Sequence, residues 1–155
     1  GGMERQCEPV DLSLLTEDGA ETILPAMPDG GRSFEWLISP EIRVLGDREL
    51  LAQGIAILLD NARIHTPVGT SVDLTLILDG AQAKLSVHDN GSGVPTEDHQ
   101  KILRRFFRGE ASRSTPGNGL GLSLVGAVAR SHGGDVRIGD SAPGLCVTIE
   151  LPRLQ

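Results

Sequence analysis

The stretch from Val72 to Val87 restricts the fold more than any other part of this chain. Val72, Leu74, Leu76 and Leu78 alternate with more polar neighbours, and so do Ala83, Leu85 and Val87. A strand turns successive side chains to opposite faces, so each run reads as a strand with one apolar face. Asp79-Gly80 between them is a hairpin signal, because a tight turn needs a residue that tolerates a left-handed backbone. A helix precedes this pair. Leu51, Ile55, Leu58, Leu59 and Ala62 recur at helical spacing and form one stripe. Asp47 is placed to cap that helix, since its carboxylate can accept from the free amides of the first turn. Pro67 stops it. A second helix runs from about Leu120 to His132, with Gly133-Gly134 as its C-terminal stop.

The remaining segments fit the same scheme. Pro9 to Leu12 reads as a short strand, followed by a helix that fades before Pro25 or Pro28. Phe34–Ile38 and Ile42–Leu45 read as strands split by Ser39-Pro40, and Asp135–Gly139 and Leu145–Leu151 as two closing strands. Residues 91–118 are rich in Gly, Ser, Thr, Pro and Arg and hold at most one short helix near Lys101–Phe106. A loop of this length inside a compact domain is usually functional. The expected fold is therefore α+β: a two-layer sandwich with a mixed, mostly antiparallel sheet, helices on one face, and a mobile lid at about 94–118. Residues 8–155 read as a single domain and 1–7 as a linker remnant.

Composition narrows the function. Aromatic residues make up 3%, with no Tyr and only Trp36 as tryptophan, so the core is expected to consist of Leu, Ile, Val and Ala. The formal net charge of −7 argues against a general nucleic-acid surface, which needs clustered Lys and Arg. The one dense basic cluster, Arg104, Arg105 and Arg108, suits a small anion such as a phosphate group. Cys7 and Cys146 lie far apart and match no metal spacing, which reads as two reduced thiols of a cytoplasmic protein. No apolar run approaches the roughly 20 residues needed to cross a bilayer, and no signal peptide is visible, so this stretch is expected to make no membrane contact.

Four constellations carry chemistry. In Leu58–Pro67, Asn61 shares a helix face with Ile57, Ile64 and His65, about a third of a turn from the core stripe. Its amide oxygen is a suitable ligand for a hard cation such as Mg²⁺, although a surface Asn near a helix end looks the same in sequence. Asp89-Asn90-Gly91-Ser92-Gly93 follows a strand directly. Its glycines let a backbone approach a ligand, and the carboxylate can accept from an exocyclic amine such as that of adenine; an ordinary Asp/Asn/Gly turn is the plainer reading. Gly117-Asn118-Gly119-Leu120-Gly121-Leu122 opens the last helix, where free amides and the helix dipole favour negative charge. It is no Walker A loop, because no Gly-Lys-Ser/Thr follows. In Arg104-Arg105-Phe106-Phe107-Arg108-Gly109 the paired Phe can anchor the lid while Arg108 faces phosphate, or form a small apolar cluster under a long loop. Four accidents in this order along one chain are improbable.

With these motifs in order, the chain resembles the GHKL nucleotide-binding superfamily, and within it the histidine-kinase catalytic domain, over about residues 8–152. Leu58–Pro67 resembles the N box, Asp89–Gly93 the G1 box, Arg105–Gly109 the F box and Gly117–Leu122 the G2 box. Val10-Asp11-Leu12 and Ser131-His132-Gly133-Gly134 also resemble kinase sequences at corresponding places. The resemblance implies a Bergerat-type ATP-binding fold with ATP and Mg²⁺ as cofactors. It implies that Asn61 binds Mg²⁺, that His65 stacks beside adenine, and that Asp89 accepts from the adenine amino group while Gly91 and Gly93 allow close approach. Gly117, Gly119, Leu120 and Gly121 would hold the phosphates by backbone amides. Arg108 would stabilise the transferring γ-phosphoryl group, so Asn61 and Arg108 are the catalytic candidates. Phosphoryl transfer rests on such positioning and charge neutralisation.

The sequence departs from the family pattern in places. Ile57 stands where histidine kinases usually carry a second Asn and the ATP-hydrolysing branches carry a Glu; Ile neither binds metal nor accepts a proton. Ile64 replaces a usual Lys or Arg, Arg104 a usual acidic residue, and Gly144-Leu145 a frequent Gly-Thr. None of His65, His88, His99 or His132 lies in the helical context of a phospho-accepting histidine. The resemblance thus implies a domain that binds ATP-Mg and donates the γ-phosphoryl group to a histidine in a separate dimerisation and phosphoacceptor segment. A response regulator would be reached through the whole kinase, with this domain in the cytoplasm, alone or as part of a membrane-anchored sensor. The alternative is a degenerate nucleotide- or partner-binding regulatory module of the same fold, without phosphotransfer.

Overall fold

The computed structural model describes residues 7–27, 33–65, 71–89, 119–140 and 145–154, with the backbone alone at residues 64–65, 119–121, 140 and 145. The elements run β1 (Glu8–Asp11), α1 (Leu12–Ile23), β2 (Phe34–Ile38), β3 (Arg43–Gly46), α2 (Arg48–His65), β4 (Val72–Asp79), β5 (Gln82–Asp89), α3 (Gly119–Ser131), β6 (Asp135–Asp140) and β7 (Leu145–Pro152). Five strands form one sheet in the order β2-β4-β5-β7-β6. Only β2 runs parallel to its neighbour; the other pairs are antiparallel. The α+β class, the mixed and mostly antiparallel sheet and the helical layer are as the residue pattern indicates.

The helices α1 and α2 each begin where a carboxylate meets free amides. Asp11 Oδ1 accepts from the Leu14 amide at 3.0 Å at the start of α1. Asp47 Oδ1 accepts from the amides of Glu49 and Leu50 at 3.0 and 3.1 Å at the start of α2. Such caps satisfy donors that the helix itself cannot. The stripe on α2 is buried as a unit, Leu51, Ile55, Leu58, Leu59 and Ala62, and it joins one core cluster with Leu122, Val125, Val128 and Ala129 of α3. The sheet contributes Val72, Leu74 and Leu76 of β4, Ala83, Leu85 and Val87 of β5, and Val147, Ile149 and Leu151 of β7. Apart from Met27 and Phe34 that cluster is aliphatic, as the shortage of aromatics requires. The opposite sheet face is polar. Lys84 pairs with Asp79 and Glu150, Arg137 with Glu150, and the hydroxyls of Ser86 and Thr148 share a hydrogen bond of 2.8 Å.

Four details differ from the residue pattern. β1 and β3 leave the main sheet and pair with each other, Val10 opposite Val44. Ser13 holds this pair to α1 by donating to the Ser39 carbonyl at 2.6 Å and accepting from the Ile42 amide at 3.0 Å. Leu12 opens α1 instead of closing a strand. The hairpin loop is Gly80-Ala81, since Asp79 is already paired with Gln82, and Gly80 takes the positive φ of 63°. Leu78 continues the alternation of β4 yet is 38% exposed, because the strand outruns the helices that cover Val72 to Leu76. Cys7 and Cys146 are both free thiols. Among the described residues no helix is long and apolar enough to cross a membrane.

Candidate nucleotide-binding site

Asn61 lies near the C-terminal end of α2, two residues after the fully buried Leu59 and next to the partly exposed Asp60. The angular argument sets its face apart from the core stripe, but that face is not open to solvent. Ile57, one turn earlier, packs against the core cluster, and Asn61 is half-buried. Its Oδ1 is buried and has no hydrogen-bond partner among the described residues. A buried carbonyl oxygen without a donor costs about 1–3 kcal/mol. Such an atom is either a defect or a ligand waiting for its partner. An uncharged hard oxygen of this kind fits Mg²⁺, which takes one or two protein oxygens together with waters and substrate phosphates.

Arg63, next to the position where Ile64 replaces a usual cation, is already engaged. It forms an i,i+3 pair with Asp60, Nε to Oδ1 at 2.8 Å and Nη2 to Oδ1 at 2.7 Å, with both side chains partly exposed. Exposed pairs of this type are worth at most about 1 kcal/mol, so a phosphate can compete for the guanidinium.

Asp89 is the last residue of β5, opposite both Val72 and Leu145. Strand parity puts it on the same side as Ala83, Leu85 and Val87, which face the helices. It is half-buried. Its neighbour His88 faces the other way, and His88 Nε2 is buried without a partner among the described residues. Gly119, Leu120 and Gly121 are the first three residues of α3, so their amides are the ones a helix leaves unpaired. His65 ends α2, and the description there stops at the backbone. Gly91, Gly93, Arg108 and Gly117, with the whole of the lid at 94–118, lie outside the described residues.

The three described pieces meet at one end of the sandwich. α2 and α3 pack in opposite directions: a Cβ on Gly54 of α2 would touch Val128 of α3 at 3.6 Å, and His132, just after α3, bonds to Asp47, just before α2. The C-terminus of α2 is therefore beside the N-terminus of α3. β6 starts opposite Glu150 and ends opposite Leu145, and Leu145 is also opposite Asp89. α3 connects to the start of β6 through His132, Gly133 and Gly134. Its N-terminus is therefore one helix length away, about 20 Å, at the Asp89 end of the sheet. Asn61, Asp89 and the first residues of α3 thus lie at the same end of the sandwich: a hard oxygen, a carboxylate and a helix start. Among the described residues, no three His, Cys, Asp or Glu side chains converge as a metal cage.

Comparison with known proteins gives consistent matches. The family model described as histidine kinase-, DNA gyrase B- and HSP90-like ATPase matches residues 46–155. The signal transduction histidine-protein kinase/phosphatase MprB of Mycobacterium avium (strain 104) is 36% identical over 138 residues, 88% of this chain. The chain spans only 26% of that relative's length. A solved structure of the mycobacterial sensor histidine kinase MprB superposes with a TM-score of 0.76 at 32% identity, covering 95% of this chain and 97% of that one. The structure of full-length ShkA in complex with AMPPNP superposes with a TM-score of 0.80 at 31% identity, covering all of this chain and 33% of that one.

Proposed function

This chain belongs to the family of histidine kinase-, DNA gyrase B- and HSP90-like ATPases, and we propose that it is the ATP-binding catalytic domain of a sensor histidine kinase, which holds ATP with Mg²⁺ and presents the γ-phosphoryl group to a histidine on a separate helical segment. The observation that supports this reading is the placement of Asn61, Asp89 and the start of α3 at the same end of the sandwich. The AMPPNP held by ShkA makes an adenine nucleotide the natural occupant.

Asn61 Oδ1 is the proposed metal ligand, supported by its burial without a partner among the described residues. A Mg²⁺ held there would supply the positive charge that offsets negative charge during phosphoryl transfer. Asp89 accepts from the adenine amino group, with Gly91 and Gly93 giving the base room. His65 stacks beside the base. The amides of Gly119, Leu120 and Gly121, with Gly117 before them, receive the phosphates at the positive end of α3. Arg108 stabilises the transferring γ-phosphoryl group. No residue of this domain need form a covalent intermediate.

The proposed partners are a helical segment that bears the phosphoacceptor histidine and dimerises, and a response regulator that takes the phosphoryl group from it, in keeping with the histidine kinases that this chain resembles. Ile57, apolar and packed in the core, favours a second reading, a regulatory module that binds nucleotide without transfer. Incubation of the parent kinase with ATP labelled in the γ-phosphate separates them. Acid-labile label on its histidine, lost in Asn61→Ala, supports the first reading. Nucleotide binding without any label supports the second.

A further inference from the structure

His132 does more than end α3. Its Nδ1 lies 2.7 Å from the Val128 carbonyl oxygen, and the Asp47 amide donates to its Nε2 at 3.1 Å. A carbonyl only accepts and an amide N–H only donates. The imidazole is therefore neutral with its proton on Nδ1. The two bonds join the last turn of α3 to the residue that caps α2. Asp47 is used on every side: Oδ1 caps α2, its carbonyl accepts from Leu51 at 2.9 Å, and its amide goes to His132.

The contact leaves no slack. A Cβ on Gly46 would lie 2.2 Å from His132 Cδ2 and 2.6 Å from Nε2, which no real pair of atoms tolerates. On the far side of His132, Gly133 takes φ of 81°, and a Cβ on Gly134 would lie 1.7 Å from the Glu150 carbonyl oxygen. The ring is thus pressed against the end of β3, and the turn that follows it is fixed against β7.

We infer that His132 is a positioning residue that sets the register of α3 against α2, and through it the placement of the phosphate-binding amides of Gly119–Gly121 relative to Asn61. Resting on the nucleotide reading above, it assigns this clasp to phosphate recognition alone. The helices are antiparallel, so the clasp fixes one end of the pair and the nucleotide contacts the other. Asp89 sits on the sheet, outside the helix pair, and base recognition does not pass through the clasp. Loss of His132 therefore separates two affinities that general unfolding would lower together.

The test compares wild type, His132→Ala, His132→Gln, Gly46→Ala and the double variant His132→Ala/Gly46→Ala of the whole chain. Affinities for ATP-Mg and for adenosine are measured by titration, with thermal melting as the fold check. His132→Ala is expected to weaken ATP-Mg by about tenfold or more, a usual cost of misplacing binding groups, and to leave adenosine unchanged. Gly46→Ala, which displaces the ring without removing it, should repeat the defect. The double variant should be close to His132→Ala, because the added Cβ then meets only the end of the Leu51 side chain, at 3.2 Å, which a small shift relieves; this is the coupling expected of residues in contact. His132→Gln keeps an acceptor at the Nε2 position and should restore most of the ATP-Mg affinity. Nitrogen NMR of wild type should show a pyridine-like Nε2. Equal losses of ATP-Mg and adenosine, unchanged ATP-Mg affinity in His132→Ala, or additive Gly46 and His132 defects overturn the inference. A wild-type chain that binds neither ligand overturns the nucleotide reading itself, and this inference with it.

Discussion

Asn61→Leu separates stability from function in a way that follows from one atom. Asn61 Oδ1 is buried and unpartnered among the described residues, on a helix whose neighbouring positions Leu58, Leu59 and Ala62 are core. Leu has a similar volume, so the substitution opens no cavity. It removes a desolvated acceptor that costs about 1–3 kcal/mol and adds a few tenths of a kcal/mol of helix propensity. A net gain of about 1–2 kcal/mol is expected for the nucleotide-free chain. For a chain of 155 residues each kcal/mol moves Tm by about 2–4 °C, so Asn61→Leu should melt about 2–8 °C above wild type. The same change removes the proposed metal ligand, so the strengthening of ATP binding by Mg²⁺ should fall by about tenfold or more. Differential scanning calorimetry without nucleotide, and ATP titrations at several Mg²⁺ concentrations, read the two effects separately. A variant that melts below wild type while keeping its Mg²⁺ dependence would refute the reasoning, because Asn61 would then be a structural residue.

Two other substitutions test different parts of the molecule. Asp89→Asn should weaken ATP and adenosine alike, by about tenfold, a usual cost for losing a charge-assisted hydrogen bond to a ligand; titration of both ligands checks it, and a loss confined to ATP would move Asp89 from the base to the phosphates. Gly134→Ala places a Cβ 1.7 Å from the Glu150 backbone oxygen, so the turn into β6 must shift. A destabilisation of about 3 kcal/mol is expected, read as a lower midpoint in urea, and an unchanged midpoint would mean that the turn yields freely.

What could be read from the residues was what depends on neighbours along the chain. The stripe Leu51 to Ala62 and the alternation of β4 and β5 are short-range patterns, and both elements formed where those patterns stand. Pairing between distant strands leaves no such trace. Nothing near Val10 or Val44 announces that β1 and β3 pair with each other and not with the main sheet. Alternation states which way Leu78 faces but not how far the covering helices reach, and so its exposure was hidden. The site shows the same division. The order of the Asn, Asp-x-Gly and Gly-x-Gly motifs was visible, and so was Asn61 lying off the core stripe. That this face is half-buried, with Ile57 against the core, is a property of the packing. The bond from Asp47 to His132 spans 85 positions, and a glycine before an N-cap looks like any other strand end until the ring beside it is seen.

Calorimetric titration of ATP into this chain, with and without Mg²⁺, is the first measurement to make. The expected result is saturable binding at one site, strengthened by Mg²⁺ and weakened in Asp89→Asn. An absence of saturable heat at millimolar ATP with Mg²⁺ present contradicts a nucleotide site built from Asn61, Asp89 and the start of α3.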